Sequence, residues 1–379
     1  MKILFVSRLE RWVRAVRPII KYVELGQRLG HEMAVFGEPR DDLPNVPHSR
    51  DVKAFDFAIF VIYETSDFPD LPHLAHLLDL IPRERRIIID CTGVYNKTIA
   101  IEHDCNHWVK LNGHQDWEWI EGFAAVASRI LQPTLTPLRD DVSSFLFFGY
   151  DPTAVARPYR SPQEAAKAWL GENGAKPYDV IYVGHNWQRW TQLRRFFEAI
   201  EPHKSRFGAI ELRGWAWDHR PDWAVVNGID GLDVDPALLQ RMGVKTGGPV
   251  MFDEVIALQD LARFCPVFHR PLFNELGLVT NRTFETFCSD TIPLLMIPEQ
   301  VVEKIHGSAA LRLTPEEDLP ARLEDIMRRP EFYWDAVLKT RAHLAEHHSY
   351  ERRFEELIAI LEREGGQQGA PEGDSTLRK

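Results

Sequence analysis

The chain has 379 residues, a formal net charge of −11, 44% apolar and 27% charged residues, the composition of a globular protein too long for one ordinary core and suited to two domains. That acidic balance argues against general nucleic-acid binding, and no apolar run approaches the length needed to span a bilayer. Cys91, Cys105, Cys265 and Cys288 lie far apart with no CxxC pair; with a strand rather than a signal peptide at the start, they point to a reducing, cytoplasmic compartment.

Lys2-Ile-Leu-Phe-Val6 is a short apolar run without polar alternation, as expected of a parallel strand covered on both faces. Pro18 suits the first turn of a helix, Ile19, Val23 and Leu25 to Leu29 supply its apolar positions, and Gly30 closes it. His31-Glu-Met-Ala-Val-Phe36 gives a second strand, so the chain opens with a βαβ unit and a Rossmann-like domain. The loop after the first strand contains no GxGxxG, which argues against a dinucleotide site. Arg8, Arg11, Arg14 and Arg17 form either a basic face beside an anionic acceptor or a solvated helix face.

Phe57 to Ile62 and Arg86 to Ile89 are two further buried strands, followed by the carboxylates Glu64 and Asp90. Side chains just past strand carboxyl ends face the ligand crevice of an open α/β sheet. Each carboxylate can therefore serve an acceptor hydroxyl as a base, or cap the next turn. His103-Asp-Cys-Asn-His-Trp108 and His114-Gln-Asp-Trp-Glu-Trp119 gather imidazole, carboxylate and indole. They read as a sugar-binding acceptor wall or as tryptophans packed under a loop; the spacing matches no standard zinc pattern. Phe145 to Phe148, before Gly149-Tyr-Asp-Pro152, is expected as the last strand of this domain.

Ser161-Pro-Gln-Glu164 is a capping box with proline at the first helical position, and Glu172 to Pro177 a linker; the boundary falls here, with residues 1–160 as one domain and 161–345 as the next. Asp179-Val-Ile-Tyr-Val183 restarts the strand, loop, helix pattern. In the loop, Gly184 lets backbone approach a ligand, and His185, Asn186 and Arg189 can donate to phosphate or sugar oxygens. Ala209 to Gly214 is the next strand, continued by Trp215 to Asp218. A helix is expected over 252–261 with Val255, Leu258 and Leu261 buried, then a strand from Phe264 to Phe268 with the cation Arg270 beyond it.

A helix beginning at Asn281 would offer its N-terminus to a diphosphate. Glu285, one turn on, could accept two ribose hydroxyls. A turn at Ser289 and Asp290 leads to the strand Ile292 to Ile297. Residues 316–330 form a polar helix, and a last helix opens near Ser349 with Tyr350, Phe354, Leu357 and Leu361 at helical spacing. Residues 364–379 lack the apolar side chains to fold.

Asn281-Arg-Thr-Phe-Glu285, a small turn and Pro293-Leu-Leu295 resemble the donor-site signature of GT-B glycosyltransferases. The likeness is greatest to the glycosyltransferase family 4-like branch that includes the spore-maturation CgeB-like proteins. His347-His-Ser-Tyr-Glu-Arg-Arg353 resembles the terminal motif of that family. The resemblance implies two Rossmann-like domains facing across a cleft, with a helix over 346–363 crossing back to the first. It implies a nucleotide-diphosphate sugar donor (UDP-, GDP- or dTDP-linked), its ribose on Glu285 and its phosphates near Arg282, with Arg189, Arg270 and Asn281 nearby. The Gly184 loop and the turn after residue 213 would line the nucleotide, and no metal would be obligatory. The acceptor would be a glycan, a lipid-linked or a small molecule, with Asp90 as first and His103 as second choice of base in an inverting reaction. Retaining members carry a glutamate where this chain has Gly277, the nearest being Glu275, which puts retaining stereochemistry in doubt. A sugar-nucleotide epimerase and a non-catalytic nucleotide-sugar or glycan-binding protein are the rival readings. Oligomeric state is not legible in the sequence.

Overall fold

Lys2–Val6 (β1) is covered on both faces, as its unbroken apolar run requires, and lies at the centre of a parallel sheet. It pairs with β2 (Glu32–Phe36) and β4 (Phe57–Ile62), and β3 (His48–Ser49), β5 (Arg86–Asp90), β6 (Arg129–Gln132) and β7 (Val142–Ser144) complete the sheet in the order β3-β2-β1-β4-β5-β6-β7. Helix α1 (Val16–Arg28) packs Ile19, Tyr22, Val23 and Leu25 on this sheet and ends at Gly30, whose φ of 82° is cheap only for glycine. The structure, a computed structural model, describes residues 1–7, 9, 16–63, 80–93, 95, 125–171, 174–226, 231–314 and 317–366. Arg8, Arg11, Arg14, Glu64, Cys105, His103 and the whole histidine and tryptophan segment around it, and the tail from residue 367 lie outside the described residues.

The expected capping motif holds where the second half begins. Ser161 Oγ accepts from Glu164 N at 3.2 Å, Pro162 opens the helix Pro162–Leu170, and Gly171 closes it at φ 105°. Glu164 departs from the box by accepting from Arg160 N rather than from the cap residue. A second parallel sheet follows: β8 (Tyr178–Val183), β9 (Ile210–Arg213), β10 (Val244–Gly247), β11 (Ala262–Phe268) and β12 (Ile292–Met296), ordered β10-β9-β8-β11-β12. Both sheets reverse strand order beside their first strand, and the crevice above that reversal is where open α/β sheets hold ligands.

Three expectations change. Phe145 to Phe148 is buried but forms no strand, although Phe145 N donates to Gln132 O at 2.9 Å, and the last strand of the first sheet is the preceding segment Val142–Ser144. The helix expected over 252–261 is only Val255–Gln259; it buries Ile256 and Gln259, while Leu261 is 41% exposed. Pro330–His347 is an 18-residue helix that the sequence reading passed over, because buried Tyr333, Trp334, Ala336, Val337, Thr340, Arg341 and Leu344 leave no clean apolar stripe.

The final helix, Tyr350–Gly366, crosses back as expected. Tyr150 N donates to His348 O at 2.8 Å and Tyr150 O accepts from Tyr350 N at 3.1 Å. Tyr350 meets Tyr22 of α1 edge to face at 6.2 Å, and Phe354 packs on Tyr22 and His31. Burial of Tyr350, Phe354, Leu357 and Leu361 at helical spacing contributes on the order of 1.5–3 kcal/mol per large side chain. That burial fixes the two sheets relative to one another.

Candidate functional site

At the carboxyl edge of the second sheet the strand ends are stitched together through glycines. Gly184 N donates to Arg213 O at 2.7 Å, Gly214 N to Gly247 O at 2.9 Å, and Asn186 N to Trp215 O at 2.9 Å. A Cβ on Gly214 would overlap the Gly184 carbonyl, and one on Gly184 would overlap Arg282 Nη2. Both positions have positive φ, 153° and 148°. Glycine is thus required for the close approach that makes this crest, and Trp217 Nε1 secures it by donating to Gly184 O at 2.7 Å.

Arg282 and Glu285 stand above the crest on the helix Asn281–Glu285. Arg282 Nη2 donates to Val183 O at 2.6 Å and Nη1 to Tyr182 Oη at 3.1 Å, with the guanidinium 4.9 Å from the Tyr182 ring. Glu285 Oε2 accepts from Asn281 Nδ2 at 3.2 Å, and Asn281 Oδ1 accepts from Tyr350 Oη at 3.5 Å. Glu285 Oε1 lies 3.3 Å from Arg17 Nε, with both side chains largely buried; alignment is too poor for a hydrogen bond, so this is a charge contact. Arg17 Nη2 also donates to Phe252 O at 2.8 Å. The helix has five residues before it tightens into the 3-10 turn Thr286–Cys288. So short a helix carries little dipole, and positive charge here comes from Arg282 and Arg17 rather than from a helix N-terminus.

Other expected donor-site residues separate. His185 Nδ1 accepts from Trp215 N at 2.9 Å, which fixes its tautomer and leaves Nε2 as the donor. Asn186 is fully buried and donates to Ala216 O and Asp233 O at 2.8 and 2.7 Å, so its amide ties two loops together instead of facing the crevice. Arg189 is 1% exposed and donates to His185 O at 2.8 Å; it too turned inward, as the support of the loop. Arg270 lies past β11, 5.8 Å from the Trp187 ring and 5.2 Å from Phe273. His269 beside it is buried, and burial with the Arg282 and Arg189 charges pushes its imidazole down to about 3.

Asp90 takes the capping role of the two open to it. It is fully buried and accepts from Thr92 N at 3.3 Å, Tyr95 N at 2.9 Å and Gln132 Nε2 at 2.8 Å. A carboxylate so engaged holds the turn after β5 against β6 and has no surface to offer an acceptor hydroxyl; this corrects its expected place as the proton acceptor. His103 lies outside the described residues. Sequence reasoning left Arg17 between a basic face beside an acceptor and a solvated helix face and did not foresee its contact with Glu285; its place after the first strand, where the crevice opens, was the available signal.

Val183, Gly184, His185, Arg213, Gly214, Val250, Phe252, Gln259, Asn281, Arg282 and Glu285 enclose a cavity of ≈ 80 Å³ at this switch point. A larger one, ≈ 350 Å³, lies at the amino ends of β8 and β11 against Asp179, Arg263, Leu323 and Met327. Position decides between them, since ligand crevices open at strand carboxyl ends. Among the described residues no cluster of His, Cys, Asp and Glu is arranged to hold a metal ion, and no helix is long and apolar enough to cross a membrane.

Two parallel sheets with a doubly wound strand order, facing across a crevice and tied by a returning terminal helix, define the GT-B glycosyltransferase architecture. Solved structures of the same shape include an alpha-glucosyltransferase in complex with UDP and a 13-mer DNA containing an HMU base. It has a TM-score of 0.65 and 11% identity over 95% of this chain and 98% of that one. T4 phage BGT in complex with its UDP-glucose substrate has a TM-score of 0.56 and 14% identity over 94% and 99%. Sucrose-phosphate synthase from Thermosynechococcus elongatus has a TM-score of 0.62 and 11% identity over 97% and 100%. No family model and no curated protein matches the sequence.

Proposed function

We propose that the protein transfers a sugar from a nucleotide-diphosphate donor to an acceptor hydroxyl, with the donor seated on residues 161–345 and the acceptor presented from residues 1–160. The observation that carries this reading is the placement of Arg282 and Glu285 on one helix turn, both lining the cavity at the sheet's switch point. Glu285 would accept hydrogen bonds from the ribose hydroxyls, and Arg282 with Arg270 would stabilise the charge that develops on the departing diphosphate. His185 Nε2 would add a neutral donor, while Asn186 and Arg189 hold its loop. Phe252 and Val250 offer an apolar wall for the base. A UDP-linked donor is favoured by the UDP and UDP-glucose present in the similar structures. The proposal needs no obligatory metal, and turnover in the presence of a chelator tests that clause, since T4 phage BGT has been solved with Mn2+. The family 4-like, CgeB-like affiliation rests on the motifs at 281–295 and 347–353.

Gly277 favours a second reading, a nucleotide-sugar binding protein without turnover. Its φ is +56° and its carbonyl accepts from Leu135 N at 3.3 Å, so the position used for a sugar-contacting glutamate in retaining relatives is committed to backbone geometry. Thermal shift with UDP, GDP and dTDP, on the wild type and on Glu285→Gln, tests the donor site. One nucleotide should raise the wild-type melting temperature, and the variant should lose most of that rise. No stabilisation by any of them, or full retention in the variant, overturns the site. Release of nucleoside diphosphate from UDP-glucose separates the enzyme from the binding protein.

A further inference from the structure

Three indoles gather at the carboxyl edge of the second sheet, outside the residues assigned above. Trp187, Trp215 and Trp223 have ring centroids 5.6 to 6.5 Å apart and planes within 21° of one another. None of the three is fully buried, and Trp215 is 37% exposed. Trp217, two residues on, is by contrast 1% exposed and spends its indole N–H on the Gly184 carbonyl. The chain thus buries one tryptophan completely and holds three more with nearly parallel planes, Trp187 and Trp223 half-buried against Ala216, Ala224 and Leu232 and Trp215 exposed beside them. Arg270, a proposed diphosphate cation, lies over Trp187 at 5.8 Å. Trp215 N donates to His185 Nδ1, and His185 and Gly214 both line the donor cavity. The cluster therefore begins one residue from the cavity wall.

We infer that this aromatic cluster is a binding platform for a neutral saccharide, which makes the acceptor of the transfer proposed above a glycan, its outlying sugars resting on these indoles while its reacting hydroxyl is presented from residues 1–160. Flat apolar faces flanked by polar tips suit pyranose rings, whose axial C–H groups lie on an indole while hydroxyls reach outward. The rim offers that polarity: Asp218 pairs with His219 at 3.1 Å, Arg220 with Asp233 at 3.1 Å, and Asp222 opens the helix Asp222–Val226 that carries Trp223. Charge decides between sugars and nucleic acid, which also stacks on indoles. Among the described residues of 215–235, Asp218, Asp222, Asp233 and Asp235 outnumber Arg220, and with Arg270 over Trp187 counted the surroundings still carry net negative charge, which repels phosphodiesters and accepts from hydroxyls.

The inference rests on the glycosyltransferase reading for the word acceptor, but the platform is measurable without turnover. The full chain, fluorescently labelled, is applied to an array of neutral and acidic glycans, and positives are titrated by tryptophan fluorescence with and without UDP. Binding to a neutral glycan is expected, with Trp215→Ala weakening it about tenfold, or ~1.4 kcal/mol, Trp215→Phe restoring most of the loss, and the UDP-induced thermal shift unchanged in both. Absence of glycan binding in the wild type, or equal binding by Trp215→Ala, overturns the platform; so does retention on single-stranded DNA that depends on Trp215. Failure of the donor site shows separately, as loss of the nucleotide shift with glycan binding intact.

Discussion

Arg17, on the helix that follows the first strand, places its guanidinium Nε 3.3 Å from the Glu285 carboxylate, joining the two halves of the chain at the floor of the crevice. The contact is sheltered on both sides, and Arg17 is further anchored on the Phe252 carbonyl, so the pair orients the acid rather than merely neutralising it. In a double-mutant cycle with Arg17→Met and Glu285→Gln, unfolding free energies should couple by about 1 kcal/mol or more, because removing one charge strands the other. Calorimetry with the stabilising nucleotide should show Arg17→Met binding several-fold more weakly. Tighter binding would mean that Arg17 competes with the ligand for Glu285.

Gly184→Ala tests the crest. Its new methyl must displace the Arg282 guanidinium, costing about 1–3 kcal/mol in urea unfolding and weakening nucleotide binding. In an Arg282→Ala background the same change should cost less, since the obstructing atoms are gone, but the strain of alanine at φ 153° remains.

Arg341 is a strut between the helix Pro330–His347 and the turn that follows the helix Asn281–Glu285. It donates to Phe287 O at 2.8 Å, Ser289 O at 2.7 Å and Arg157 O at 3.2 Å while 6% exposed. Arg341→Ala leaves buried carbonyls without donors and should destabilise by about 3 kcal/mol or more. Chemical unfolding gives the loss directly, and Arg341→Lys should recover only part of it, as an ammonium cannot span three acceptors.

Acid should destabilise the protein through buried imidazoles. His306 Nε2 donates to Thr283 O at 3.0 Å, and burial pushes its pKa from 6.5 down to about 4; His269 falls to about 3. Both are lowered on folding, so their contribution is complete above 6.5 and is lost as pH falls towards 4 and below. His306→Gln should flatten the drop in melting temperature between pH 6.5 and 4.

Asp260 has the opposite sign. Burial, with Asp290 nearby, raises it from 3.8 to about 6, so its favourable contribution exists below 3.8 and is lost as pH rises through 6. Asn at this position can still accept from Asp290 N, as Asp260 Oδ1 does at 2.6 Å. Asp260→Asn should therefore melt higher than wild type at pH 8, with the gap closing by pH 4.

What the sequence alone determined is local. Buried parallel strands are continuous apolar runs, so β1, β4, β5, β8 and β12 were legible to within a residue, as were the Ser161 cap and the Gly30 stop, where one residue type meets a backbone demand. Glu285 and Arg282 were legible as neighbours on one helix turn, and both line one cavity. Only the tertiary structure decided which way polar side chains face. Asp90, Asn186 and Arg189 bear the residue types of a site, yet turn inward, since backbone groups from distant loops need partners there. Arg17 could be read as solvated or as facing an anion and in fact meets Glu285, and Pro330–His347 hid its helical period by being buried on several sides. Periodicity encodes how much of an element is covered; what covers it is set by segments far away in the chain, which no local pattern records.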